Sequence, residues 1–217
     1  MALAGSAALA MWWDMAPAMR AEFEHWHTHE HFPERLALPG FLRGSRWGSA
    51  DGGDGFFILY ETDTLDALTS PEYLARLNAP TPWSTQLMPH HRNMVRTLCN
   101  VVASHGAGVA GHACTVRFTV AADREAQVQA PLAAKLALLA MQAGVAGAHL
   151  LRSGVAAPKT AEQAIRGNAD QAADWIVLVT GYDLEAVRQA AAALVREPGA
   201  VVQLHSLALS MAAGDTR

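Results

Sequence analysis

The sequence predicts an α+β protein in which a β-α-β-β-α-β unit occurs twice, each unit folding an antiparallel sheet with helices on one face. Three observations lead there. Phe56-Phe57-Ile58-Leu59 followed by Leu65-Asp66-Ala67-Leu68 is echoed, at one constant offset, by Trp175-Ile176-Val177-Leu178 followed by Leu184-Glu185-Ala186-Val187. Strand-like and helix-like stretches also run in the same order through both halves. Finally, a sheet covered on one side needs cover on the other, and two bare faces in one chain can cover each other. With 217 residues, 51% of them apolar, the chain is long enough for both units. Residues 1–106 form the first and 107–217 the second, packed sheet to sheet as a pseudo-two-fold barrel.

The first unit begins with MALAGSAALAMWW, which has no basic residue of the kind that opens a secretory signal. It reads as a frayed end and a short strand ending near Trp12. Asp14 and Pro17 open a long amphipathic helix, and Pro33, with no N–H to bond back to His29, should kink or stop it. Pro39-Gly40 turns the chain into a strand from Phe41 to Trp47. Asp51-Gly52-Gly53-Asp54-Gly55 is a hairpin connection into a second strand, Phe56 to Glu61. A phosphate-cradling loop would instead open a helix. Ser70-Pro71 caps the next helix, Pro80 and Pro82 end it, and a fourth strand runs from about Met94 to Val102.

The second unit repeats this order. His112 to Val120 alternates, with Cys114, Val116, Phe118 and Val120 on one face and Thr115, Arg117 and Thr119 on the other. A helix from Asp123 to about Gln142 contains Pro131, and a strand follows from Val145 to Leu151. An insert of residues 153–173 then separates the second and third strands. It carries a capping box, Thr160-x-x-Gln163, and a charged set, Lys159, Glu162 and Arg166, expected to brace it on the surface. Its length suits a lid. A last helix to about Arg196 and a strand from Ala200 to Leu209 complete the unit.

Chemistry concentrates in Trp26-His27-Thr28-His29-Glu30-His31-Phe32-Pro33. At 100° per residue Met19, Phe23 and Trp26 make an apolar stripe with Glu30 on its midline, His27 on its flank and His31 one turn beyond. A carboxylate turned toward a core needs a partner or becomes neutral, and nearby imidazoles could supply one. His31, His27 and Glu30 are therefore the candidate catalytic residues, a histidine being able to take and return a proton near neutrality. His25 and His29 fall on the solvent side. Arg35 could anchor a substrate anion, while Trp12, Tyr60, His91 and Arg96 are candidate substrate contacts, with Trp13 and Trp83 as further aromatic walls.

His27-x-x-Glu30-His31 also spells a zinc motif of inverted-motif metallopeptidases. Those enzymes need a further ligand, which only His90, His91 or Glu61 could supply here, so no metal is expected. The chain has no serine nucleophile elbow and no dinucleotide fingerprint.

The run Trp26-His27-x-x-Glu30-His31-x-Pro33-Glu34-Arg35-Leu36, followed by Pro39-Gly40-Phe41, resembles the dimeric α+β barrel superfamily. Within it, the pattern looks most like EthD-like proteins, whose first helix ends in a His-x-Pro element. His31-Phe32-Pro33 matches that element, and His31 is the one catalytic position the match carries over. The motif likeness covers about residues 12 to 47 and the topology the whole chain, although the usual member holds a single unit. The resemblance implies ferredoxin-like sheets and a pocket. Its members include cofactor-independent monooxygenases, cyclases, isomerases, dehydratases and haem-handling proteins.

On this reading the chain is a cofactor-independent small-molecule enzyme acting by proton transfer on an apolar or aromatic molecule. A non-catalytic ligand-binding or assembly module, or a metal- or haem-dependent enzyme, are the alternatives. A net charge of −4 with 17% charged residues offers no basic face for nucleic acid or anionic membrane. Two cysteines are too few for a zinc knuckle or a disulfide framework, and no stretch is apolar enough to span a membrane. A cytoplasmic protein, able to pair as a homodimer, is the expectation.

Overall fold

The computed structural model describes residues 3–167, 169–194 and 197–215. Its strands are β1 (Ala7–Met15), β2 (Phe41–Ser49), β3 (Gly55–Thr62) and β4 (His91–Gly106), then β5 (His112–Phe118), β6 (Val145–Val155), β7 (Trp175–Gly181) and β8 (Val201–Ala212). All pairings are antiparallel, and the strands close into one ring in the order β1-β3-β2-β8-β5-β7-β6-β4. Each half contributes four strands in the ferredoxin-like order, β4-β1-β3-β2 and β8-β5-β7-β6. The bare faces do meet. Their edges also bond, β2 to β8 and β4 to β6, so the sheets are one barrel.

The seams explain the two longest strands. The first part of β4 pairs with β1 and its second part, from Leu98 to Gly106, with β6. Gly106 ends that seam at φ 99°, and a Cβ there would lie 2.0 Å from the Ala146 carbonyl oxygen. Gly106→Ala is expected to cost about 2 kcal/mol, from a left-handed backbone and a clash that only a backbone shift relieves. Urea denaturation measures it, and an unchanged midpoint would contradict the close approach.

Period-two alternation sorts side chains to two sides. On β1, Leu9, Met11 and Trp13 face outward beneath helices, while Ala8, Ala10 and Trp12 face the barrel interior with Trp47, Phe57 and Leu59. On β5, Cys114, Val116 and Phe118 face the second half's helices. Thr115, on the other face, is just as buried, because that face is the barrel interior.

The first helical segment runs from a 3-10 turn at Pro17–Met19 through α1 (Arg20–Trp26), a wide π turn at His27–His31, and α2 (Phe32–Leu36). Pro33 neither stops nor ends it. In the π turn the Phe32 N–H reaches five residues back to the His27 carbonyl, and the chain stays helical past the proline. Next come α3 (Pro71–Asn78), capped by Ser70 Oγ on the Tyr73 N–H at 3.2 Å, and α4 (Pro82–Leu87), which Pro82 opens. The second half carries α5 (Glu125–Leu139), α6 (Ala161–Arg166) in the insert, and α7 (Leu184–Ala192). The expected helix end at Arg196 lies outside the described residues. Among these residues no helix is long and apolar enough to cross a membrane.

Candidate active site

The first helical segment lies on the outer face of the first half's sheet, and between them is a cavity of about 40 Å³. Its walls bring together His27 and His31 from the π turn, Arg35 from α2, Tyr60 from β3, and His91 and Arg96 from β4. Trp13, Trp26, Tyr73 and several aliphatic side chains fill the remainder. Six of the eight candidate catalytic and substrate-contact residues thus meet at one place, with Trp13, one of the two further aromatic walls, beside them. Glu30 and Trp12 do not.

Glu30 is half-buried but faces away from the imidazoles. Its carboxylate accepts from the Trp26 indole N–H at 3.0 Å and from the Thr81 hydroxyl. The α-helical projection fails because the π turn changes the angle per residue between His27 and His31. Glu30 therefore braces Trp26 from behind and does not line the cavity. Trp12 fails for a different reason, a shift of one residue along β1. It points into the barrel, donates to Thr115 Oγ1 at 3.1 Å and stacks on Phe57, whereas Trp13 walls the cavity. Trp83 donates to Glu22 at the surface, and His25 and His29 are exposed.

Arg35 is also used differently from expectation. Its guanidinium pairs with Glu162 of α6 and, at 3.2 Å, with Glu34, so the anions it holds are internal. Glu162 comes from the insert, whose charged set does not simply brace a surface. Lys159 is exposed, but Glu162 and Arg166 form part of the cavity wall. Arg166 pairs with Asp170 at 2.7 Å, both side chains being under 10% exposed. No local pattern announces this, since the Arg35 partner lies 127 residues away. The second half thereby closes the first half's site.

The imidazoles are neutral. Burial, then the Arg46 charge, hold His27 well below the usual histidine range, and burial, then Arg35, do the same to His31. Burial takes His91 down to about 4. Hydrogen bonds fix two tautomers. Arg46 Nη1 can only donate, so His27 Nδ1, 3.5 Å away, accepts and Nε2 carries the proton. The Leu87 carbonyl can only accept, so His91 Nδ1 donates at 3.1 Å and Nε2 is a bare acceptor. Burial also drives the Tyr60 phenol well above its ordinary range, so it keeps its proton.

Several polar atoms on this wall are buried without a hydrogen-bond partner, namely Trp13 Nε1, His27 Nε2, His31 Nδ1, Tyr60 Oη and Arg166 Nε. A buried polar group left unpaired costs about 1–3 kcal/mol, and such groups are seldom clustered without a purpose. Among the described residues no three His, Cys, Asp or Glu side chains are grouped to hold a metal ion. Glu61, one residue along β3 from Tyr60, faces the interior, where Arg43 clasps it at 2.7 Å.

No protein-family model matches the chain, and no curated protein is similar to it in sequence. Solved structures do match in shape. An anthrone oxidase-like protein superposes with a TM-score of 0.66 at 11% identity, over 100% of this chain and 98% of its own. A candidate monooxygenase from Fusobacterium nucleatum gives 0.61 at 8%, over 97% and 96%. A chlorite dismutase variant from Candidatus Nitrospira defluvii, in complex with cyanide, gives 0.52 at 13%, over 95% and 92%. At these identities the likeness speaks for architecture alone, and the architecture is that of the dimeric α+β barrel, with both ferredoxin-like sheets supplied by one polypeptide.

Proposed function

We propose that the cavity beneath the π turn is the active site of a small-molecule enzyme that works by proton transfer. The observation carrying this reading is the convergence of unpaired donors and a bare acceptor on one enclosed space. A neutral His91 accepts a proton through Nε2, while the His27 Nε2–H and the Tyr60 hydroxyl hydrogen-bond the oxygen on which charge develops. Aromatic and aliphatic walls suit an apolar or aromatic carbonyl compound. Organic ligands need about 300 Å³ or more, so such a substrate enters only when the insert carrying Glu162 and Arg166 shifts.

The first probes are enolisable aromatic ketones, anthrone among them, because a neighbour in shape is described as anthrone oxidase-like. Deuterium uptake from D2O at the enolisable carbon under nitrogen reads proton abstraction directly. Oxygen consumption under air reads any oxidation that follows. Wild-type protein is expected to exceed the buffer rate, and His91→Ala to lose about 100-fold of that excess.

An EthD-like reading assigns the acid/base role to His31 instead, supported by its position in His31-Phe32-Pro33 and its unpaired Nδ1. Single variants separate the two. If His91→Ala and His31→Ala both stay within a few-fold of wild type, the proton-transfer reading is wrong.

A further inference from the structure

The charges around the cavity do not balance. Arg35 is shared between Glu162 and Glu34, Arg76 also reaches Glu34 at 3.2 Å, and Arg166 has Asp170. Five guanidiniums, counting Arg96 in the wall and Arg46 behind His27, thus stand near three carboxylates. Glu30, the next acid, is taken up by Trp26 and Thr81 on the far side of the indole. The three histidines add no positive charge, and Arg46 behind His27 adds no negative one.

Of the three guanidiniums in the cavity wall, Arg35, Arg96 and Arg166, Arg96 is the one without a carboxylate. It is 6% exposed, lies on β4 in the cavity wall, and forms no ion pair among the described residues. Its side-chain hydrogen bond runs from Nη2 to the Tyr73 hydroxyl at 3.2 Å, which uses one of five N–H donors. A buried charge without a counter-ion carries a desolvation penalty of several kcal/mol, which an incoming anion offsets. Its backbone is fixed independently of any ligand, with the Arg96 N–H bonded to the Gln171 carbonyl at 2.8 Å where the insert crosses β4. The guanidinium is held in place before an anion arrives.

We propose that the cavity binds a monoanion against Arg96, so that the ligand of this site is a small acid in its ionised form. The inference deepens the proton-transfer reading and rests on the same cavity, but it concerns binding and can be measured without turnover. A planar carboxylate can take two parallel N–H bonds from the guanidinium face not used by Tyr73. About 40 Å³ accommodates two or three waters and hence an anion of a few atoms, without displacing the insert. A larger acid would place only its anionic head there, with its body where the insert now lies.

Calorimetric titration at constant ionic strength tests this, using formate and nitrite as free small anions and benzoate as an aromatic acid. Formamide and benzamide serve as neutral counterparts. Each anion that fits is expected to bind at least about tenfold more tightly than its neutral amide. Formate without benzoate identifies a site for free small anions, and both together identify a head-group site. Arg96→Gln is expected to abolish the preference and Arg96→Lys to keep part of it, while Arg188→Gln, at an exposed arginine, leaves it unchanged.

Anions and amides binding alike to wild-type protein would overturn the inference, as would a preference that survives Arg96→Gln. The wild-type titration decides even if a variant does not fold. Deuterium exchange without anion preference removes the charge assignment and leaves the proton-transfer reading standing. Anion preference without exchange does the reverse.

Discussion

Acid is expected to unfold this protein steeply below pH 6.5. Five histidines are buried and neutral in the fold. His27 and His31 are held well below the ordinary value, His91 at about 4, and His149 and His205 at about 3, burial being the first cause in each. In the unfolded chain each titrates near 6.5. Between the folded and unfolded values the unfolded state binds more protons, so stability is fully present above pH 6.5 and falls as the pH drops toward 4. Each neutral histidine contributes about 1.4 kcal/mol per pH unit in that window. Unfolding at pH 5.5 should therefore take up about four protons, and stability should drop by roughly 5 kcal/mol or more from pH 7.5. That is a large share of a domain's usual 5–15 kcal/mol. Urea titrations at several pH values give both quantities. A flat profile from pH 7.5 to 5.5 would show that these imidazoles are not neutral and buried together.

Arg35→Ala should be the most damaging single substitution in the site, at about 3 kcal/mol. Removing the guanidinium strands two carboxylates, Glu162 and Glu34, in a place water scarcely reaches, although Arg76 still holds Glu34 from outside. Glu162→Ala should cost less, because Arg35 keeps Glu34. Replacing both members of the buried pair, as Arg35→Met with Glu162→Leu, should recover much of the loss by leaving no charge unpaired. Equilibrium urea unfolding of the three variants gives the ordering. A cost below about 1 kcal/mol for Arg35→Ala would mean that the insert does not rest on this pair.

The barrel was readable because each strand writes its own two-sided pattern. Phe56 to Tyr60 and Trp175 to Val179 carry apolar residues at every position, as strands buried on both faces must. The seams were not readable, since nothing within β4 marks where β1 stops and β6 starts. Of the site, the histidine-bearing helix and the strand residues Tyr60, His91 and Arg96 could be picked out as polar groups in apolar settings. Glu30 misled because a π turn leaves no trace in a helical projection. Trp12 and Trp13 were both named as walls although only Trp13 is one, because in a barrel strand both faces are apolar and alternation cannot say which is inside. Glu162 and Arg166 were missed for a plainer reason. Their i, i+4 spacing is that of a surface pair, and only the folded chain carries Glu162 to Arg35 and Arg166 to Asp170.

Every strand of the ring has a neighbour on both flanks. Among the described residues no strand is left as a whole free edge, the place where open sheets add further strands and stack into fibres. What one-sided backbone remains lies at the ends of the two seam strands, where β8 pairs with β2 only from His205 onward and with β5 only up to Ser206.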